Sequence, residues 1–228
     1  TCERVVTGEF RSGFVAVVGR PNTGKSTLVN TLVGEKISIV TAKPQTTRHR
    51  VLGIRNTADS QVVFVDTPGL HEQARRLINR TMNRAAATSA EDADLILLVI
   101  EAKGWSGGDS FALERLPGRK VPIVLVINKI DTVRSRSELI PLLEESAAKH
   151  DFSAIVPVSA RTGENLDRLS DIIRNSLPGG PALFPTDQST DRGLSFRVAE
   201  VLREKLMEAL EREVPYGVAV EIENLEDS

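Results

Sequence analysis

Gly19-Arg20-Pro21-Asn22-Thr23-Gly24-Lys25-Ser26, with Thr27 after it, lies between the apolar run Phe14-Val15-Ala16-Val17-Val18 and a helix-like stretch from Lys25 to Val33. The G-x-x-x-x-G-K-[ST] spacing makes a phosphate cradle only where a strand feeds the loop and a helix leaves it, and both flanks meet that condition. Gly19 and Gly24 allow backbone angles that a β-carbon forbids, so successive N–H groups can turn inward around a β-phosphate. The helix N-terminus adds partial positive charge. Lys25 is then placed to reach β- and γ-phosphate oxygens, and the Ser26 hydroxyl to take a position on a small hard cation, Mg²⁺. Asn22, Thr23 and Thr27 complete the nucleotide-binding loop.

Beyond this loop, strands and helices alternate. Gly34 to Arg50 has no regular period and reads as a long functional loop. Strands are expected at Val51–Arg55 and Gln61–Asp66 across a turn at Asn56–Ser60. A helix follows over Arg76–Thr88, then a buried strand at Leu95–Ile100 and a loop at Lys103–Asp109. Asp109 opens a short helix to Leu116. Further strands are expected at Val121–Ile127 and Ala154–Val158, with helices at Glu138–Lys149 and Asn165–Leu177. Solid apolar runs of this kind belong to a parallel sheet covered on both faces. The expected fold is a doubly wound, mostly parallel six-stranded α/β sheet, which binds ligands at the carboxyl ends of its strands.

Two further motifs sit at such ends. Asp66-Thr67-Pro68-Gly69 supplies a carboxylate that can hold Mg²⁺ through a water, and Gly69 can present its N–H to a γ-phosphate. Asn128-Lys129-Ile130-Asp131 supplies base selection. Asp131 can accept from guanine N1–H and the exocyclic amine, which adenine does not offer in that arrangement, while Asn128 and the Lys129 stem line the ring. Buried polar groups left unpaired by the wrong base make such a site selective, so GTP and GDP are expected over adenine nucleotides. Ser159-Ala160-Arg161 would close the base pocket, with the Ala160 N–H directed at guanine O6.

Composition excludes other classes. The 228 residues carry 40% hydrophobic and 26% charged side chains and a net charge of −2, ordinary for a globular protein. No apolar run reaches membrane-spanning length, and the first residues lack the apolar core of a signal peptide, so a cytoplasmic location is expected. Cys2 is the only cysteine, which removes an intrachain disulfide and a thiolate zinc cluster. From Pro185 onward, 11 acidic and 5 basic residues leave that part at −6 and the preceding part at +4. Neither has the basic excess of a complete nucleic-acid-binding domain.

Pro178-Gly179-Gly180-Pro181 breaks the last helix and begins a linker. Beyond it, Ser195–Glu213 reads as an amphipathic helix with Val198, Val201, Leu202, Leu206, Ala209 and Leu210 as its apolar stripe, stopped by Pro215 and Gly217. Val218–Glu223 alternates as a half-buried strand. One helix and one strand cannot enclose a core, so this second unit is expected to be either a fragment or an appendage packed on the first domain.

The ordered motifs resemble the translation-factor-class P-loop GTPases, and in detail the bacterial Era family. The resemblance rests on the phosphate loop, on Gln45-Thr46-Thr47-Arg48-His49-Arg50, on Asp66 to His71, and on Asn79-Arg80 with Met82-Asn83. It extends to Asp191-Arg192 and Arg203-Glu204-Lys205-Leu206-Met207, which look like the opening of a KH domain. It implies a tail over 1–13, a GTPase domain over 14–177, a linker over 178–190 and the first part of a KH domain over 191–228.

The resemblance also implies that Thr47, or alternatively Thr46, is the loop threonine that binds Mg²⁺ when a γ-phosphate is present. Residues 34–50 would be switch I and 66–81 switch II, with Lys25, Thr47 and Gly69 as the catalytic set and Ser26, Thr47 and Asp66 as the metal set. Asn22 occupies the position where related GTPases bind K⁺. Ras-like enzymes orient the attacking water with Gln directly after D-x-x-G. Leu70 cannot do so, and slow intrinsic hydrolysis is expected; His71 is a candidate base. The function implied is a GTP-hydrolysing switch that binds small-subunit ribosomal RNA near its 3′ end and assists 30S assembly. The alternatives are a nucleotide-gated module for a protein or membrane surface, with Arg75, Arg76, Arg80 and Arg84 toward an anionic partner, and a GTPase of transfer-RNA modification. Peripheral association with the inner membrane belongs to the same set. No Gly-x-x-Gly loop of the kind that grips RNA in KH domains occurs after Pro185.

Overall fold

β1 (Arg11–Val18) is the centre of the sheet because Val15 to Val18 are fully buried on both faces. The computed structural model describes residues 9–41, 46, 47, 49–70, 77–117, 121–209 and 219–224, the side chains of 77–82 and 85 excepted. Around β1 lie α1 (Lys25–Val33), β2 (Val51–Asn56), β3 (Ser60–Asp66), α2 (Leu77–Glu91), β4 (Leu95–Glu101) and α3 (Gly107–Glu114). β5 (Ile123–Asn128), α4 (Ile140–Lys149), β6 (Ala154–Pro157), α5 (Leu166–Ser176) and α6 (Leu194–Ala209) follow. The strand order is β2-β3-β1-β4-β5-β6, parallel except for β2.

Alternation within the strands divides the core. Val15, Val17, Leu97 and Val126 face α1 and α5, meeting Leu28, Leu32, Leu169 and Ile173. Ala16, Val18, Leu98 and Leu125 face the other way, toward Ala86 and Ala90 of α2, Ala112 of α3 and Leu142 of α4. This doubly wound arrangement brings the carboxyl ends of β1, β3, β4 and β5 to one rim.

Several boundaries differ from the sequence reading. α3 begins at Gly107, two residues before Asp109, because the Ser106 N–H and hydroxyl both bond to Asp109 Oδ2, at 3.0 and 2.6 Å, and fix the first turn. The Glu138–Lys149 helix divides into a 3₁₀ turn over Arg136–Leu139 and α4. Residues 178–190 are bonded to the sheet rather than loosely linking it. The Ser12 N–H donates to Pro178 O at 3.2 Å and Ile54 N–H to Ser189 O at 2.8 Å. Buried Gln61 accepts from the N–H groups of Leu183 and Phe184, and the Phe184 ring meets Phe14 edge to face.

The largest departure is in α6. Its expected inward stripe faces out: Val201, Leu202 and Leu206 are 41, 46 and 45% exposed, while Arg203, Glu204 and Met207 are buried. The charged side chains turn inward because they bond to main-chain groups of the loop before β2. Residues 219–224 form no strand. An extended segment becomes a strand only beside a neighbour that takes its N–H and C=O groups, and none of the described strands lies beside this one. Pro215, Gly217 and Val218 lie outside the described residues, as do Cys2, Arg48, His71, Arg75 and Arg76.

Candidate guanine-nucleotide site

The phosphate loop leaves β1 at Gly19 and enters α1 through Gly24, whose φ of 92° is left-handed. A β-carbon at Gly24 would also strike the Asn128 amide, so both backbone and packing demand glycine. Asn22, Gly24, Lys25, Ser26 and Thr27 line one pocket with Thr46, Thr47 and Gly69. Three stretches far apart in sequence, the loop after β1, the loop before β2 and the end of β3, therefore converge.

Lys25 is buried, and its ammonium donates to Gly19 O at 3.1 Å and Arg20 O at 2.8 Å. Burial lowers its pKa to about 8, partly offset by the Asp66 carboxylate. Asp66 is fully buried at the end of β3, and neither carboxylate oxygen has a hydrogen-bond partner. Burial raises its pKa; the Ser38 and Ser26 hydroxyls and the Lys25 ammonium lie close enough to oppose that rise without bonding geometry to either oxygen. Ser26 Oγ meets Thr47 Oγ1 at 3.0 Å, whereas Thr46 Oγ1 turns to Thr41 Oγ1 at 2.7 Å. Of the two threonines left open by the sequence, Thr47 is the one at Ser26.

Gly69 lies against the loop so closely that a β-carbon would approach Pro21 N to 2.7 Å. The next N–H, of Leu70, donates to Gly19 O at 3.1 Å. Leu70 itself is 2% exposed and packs in the core with Ala16 and Val18. Its side chain does not occupy the place of a water-orienting Gln.

The base-selecting residues gather around Asn128. Its Nδ2 donates to Thr23 O at 2.9 Å, and its Oδ1 accepts from the N–H groups of Lys129 at 2.8 Å and Ala160 at 3.0 Å. The Ala160 N–H, expected to point to a guanine O6, is thus engaged by Asn128, whose buried oxygen needs donors. Ser159 Oγ donates to Asp131 Oδ1 at 2.6 Å, and the Arg161 guanidinium stands 2.5 Å from Oδ2. The Ser159 bond comes first in holding the Asp131 carboxyl below its usual range, with Arg161 adding to it.

A group not singled out in the sequence joins the two halves. Glu101, at the end of β4, pairs with Arg20 at 3.0 Å and with Lys129, whose ammonium also donates to Asn22 O at 2.6 Å. Arg20 continues to Asp109 at 3.2 Å. Burial opposes ionisation of Glu101, but these two cations hold its pKa down. The available signal was positional: an acid directly after the apolar run of β4, at the rim where strands end.

Residues 14–129 match the family described as 50S ribosome-binding GTPase. GTPase Era of Histophilus somni (strain 2336) is 47% identical over 221 residues, covering 97% of this chain and 73% of the relative. The chain belongs to the Era family of GTPases. GTPase Era of Pasteurella multocida (strain Pm70) is 48% identical over 211 residues, covering 92% of this chain and 69% of its own. A crystal structure of Era in complex with MgGDPNP and nucleotides 1506–1542 of 16S ribosomal RNA superposes with a TM-score of 0.92 at 41% identity. It covers 96% of this chain and 74% of that one. Membership in the Era family carries guanine-nucleotide binding and GTP hydrolysis to this chain. Among the described residues, no helix is long and apolar enough to cross a membrane.

Proposed function

We propose that this Era-family chain is a GTP-driven switch that binds the 3′ region of small-subunit ribosomal RNA and assists assembly of the 30S subunit. The observation that carries the reading is the likeness, over nearly the whole chain, to an Era protein whose structure holds both MgGDPNP and a 16S RNA segment. That RNA partner makes the cytoplasm its place of action. Of the side chains considered for an anionic membrane surface, Arg84 is the one described, and its exposed position on α2 is an ordinary solvated one.

The residues present fit Mg²⁺. Two hydroxyls, Ser26 and Thr47, already meet, and the two oxygens of Asp66 are buried without partners beneath them. Oxygen donors of this kind, few enough to leave room for phosphate oxygens and water, suit a small hard cation. In this role the ion neutralises charge on the transferring phosphoryl group. Asn22, in the loop at the pocket wall, is the residue proposed for K⁺.

The chain's own residues would then act as follows. Backbone N–H groups of Gly19 to Thr27 and the N-terminus of α1 hold the phosphates, and Lys25 turns from Gly19 O and Arg20 O to the β- and γ-oxygens. Gly69 N–H and Thr47 recognise the γ-phosphate, so both loops hold one arrangement with GTP and release it after hydrolysis. Asp131 selects guanine when its Arg161 partner yields to the base, and Asn128, Lys129, Ser159 and Ala160 hold that carboxylate and the ring. With Leu70 buried, the residue directly after Gly69 is not placed to orient the water, which accords with slow intrinsic turnover.

Binding of the protein to an RNA carrying the 3′ end of small-subunit ribosomal RNA tests the reading, measured with GDP and with a non-hydrolysable GTP analogue. Tighter binding with the analogue is expected. Equal absence of binding in both states would refute the RNA switch.

A further inference from the structure

α6 meets the loop before β2 through its charged face. Glu204 Oε1 accepts from the Val40 N–H at 3.0 Å, and its other oxygen pairs with Lys36. The neighbouring Arg203 donates from Nη2 to Thr46 O at 2.7 Å, while Glu200 holds the same guanidinium at 2.6 and 2.7 Å. Both Arg203 and Glu204 are 3% exposed. The N-terminal half of the helix adds an Arg197–Glu35 pair and an edge contact between Phe196 and His49.

Burying an arginine and a glutamate is costly unless every donor and acceptor is met. Here each has an ion-pair partner, Glu200 or Lys36, and one main-chain group of the loop before β2, Thr46 O or the Val40 N–H. The docking is specific for one arrangement of the loop, since both bonds require Val40 N–H and Thr46 C=O at fixed positions.

Thr46 precedes Thr47, and Thr47 Oγ1 is 3.0 Å from Ser26 Oγ. We propose that Arg203 and Glu204 are positioning residues for the GTPase site: they brace the loop from outside so that Thr47 stands over the phosphate loop, and α6 docks only while it does. The inference rests on the assignment of Thr47 to the γ-phosphate state. Coupling is reciprocal. Whatever stabilises this loop arrangement stabilises α6 docking by the same factor, and loss of the brace removes that factor from the ligand that needs Thr47.

The test compares affinities for GDP and for a non-hydrolysable GTP analogue with Mg²⁺ in the unaltered protein, in Arg203→Ala, in Arg203→Lys and in Lys205→Ala. Arg203→Lys keeps charge and much of the volume but cannot hold Glu200 and Thr46 O together. Lys205 is exposed on the same helix and pairs only with Glu208 among its described ion-pair contacts. Both Arg203 variants should lose about 5–30-fold in analogue affinity, a coupling of ordinary size, with GDP affinity changed less than about twofold and Lys205→Ala unaltered. Single-turnover hydrolysis should slow in the same two variants. An equal loss for GDP and analogue would mean a merely structural role, and no loss for either would remove the brace; each overturns the proposal. Analogue-over-GDP discrimination in Thr47→Ala equal to that of the unaltered protein would instead undo the Thr47 assignment, and the brace with it.

Discussion

Arg161 and Asp131 form an ion pair at 2.5 Å across the mouth of the base pocket, with the arginine 75% exposed and the carboxylate nearly enclosed. An exposed partner contributes little, about 0–1 kcal/mol. Arg161→Ala should therefore change GTP affinity by less than about fivefold. Asp131→Asn reverses the hydrogen bonding offered to the base and should weaken GTP by about 100-fold or more while admitting xanthine nucleotides. Competition between the two bases checks it, and retained guanine preference in Asp131→Asn would refute the assignment.

Leu70 points into the core, so restoring the Ras-type residue should not restore Ras-type hydrolysis. Leu70→Gln places an amide among Ala16, Val18 and Ala86, where nothing apolar can pair with it. The expected cost is about 1–3 kcal/mol in stability, with no rise in single-turnover hydrolysis. A faster variant of unchanged melting temperature would show that the side chain reaches the water.

The buried Lys25 ammonium is maintained at a cost. A fall from 10.5 to about 8 corresponds to about 3 kcal/mol of unfavourable burial in the free protein. Lys25→Met should raise the melting temperature of the nucleotide-free protein by several degrees, since losing the two bonds to Gly19 O and Arg20 O offsets only part of the stability gained by removing the buried charge. Nucleotide affinity should fall at least about 100-fold, because the charge that meets the β- and γ-phosphates is gone. Calorimetry of the free variant decides; a lower melting temperature would show that the two carbonyl bonds outweigh desolvation.

Docking of α6 should weaken in acid. Burial works against Glu204 ionising, but Lys36 and the Val40 N–H more than compensate, leaving its pKa below the usual 4.5. A depressed carboxylate contributes stability above its unfolded pKa and loses it as pH falls through the folded one. The contribution is complete at neutral pH and disappears below 4.5. Amide exchange at Val40, corrected for the intrinsic rate, should show protection at pH about 6 that is reduced at about 3.5 in the wild type. Glu204→Gln should lack that step; an equal step in both would assign it elsewhere.

The sequence determined the sheet and singled out the candidate site residues because both are written locally. Val15 to Val18, Leu95 to Ile100 and Ile123 to Ile127 are apolar without interruption, which only a doubly covered sheet can bury. The phosphate loop and the Asn128 to Asp131 stretch each need particular residue types at fixed spacing, and fixed spacing survives without coordinates. Glu101 escaped this reading since a single acid after a strand has no pattern. Its role exists only because β4 ends between Arg20 and Lys129.

Tertiary structure alone decided the rest. The periodicity of Ser195 to Glu213 correctly announced a helix, but not which face turns inward. An apolar stripe predicts burial when hydrophobic area dominates; here Arg203 bonds Thr46 O and Glu204 accepts from the Val40 N–H, and those bonds go with the helix's charged face turned inward. That Thr47 rather than Thr46 meets Ser26 depends in the same way on where the loop is held. The alternation of Val218 to Glu223 was equally plain, yet residues 219–224 pair with no strand among the described residues. A strand, unlike a helix, takes its hydrogen bonds from a neighbour, and its own residues cannot supply one.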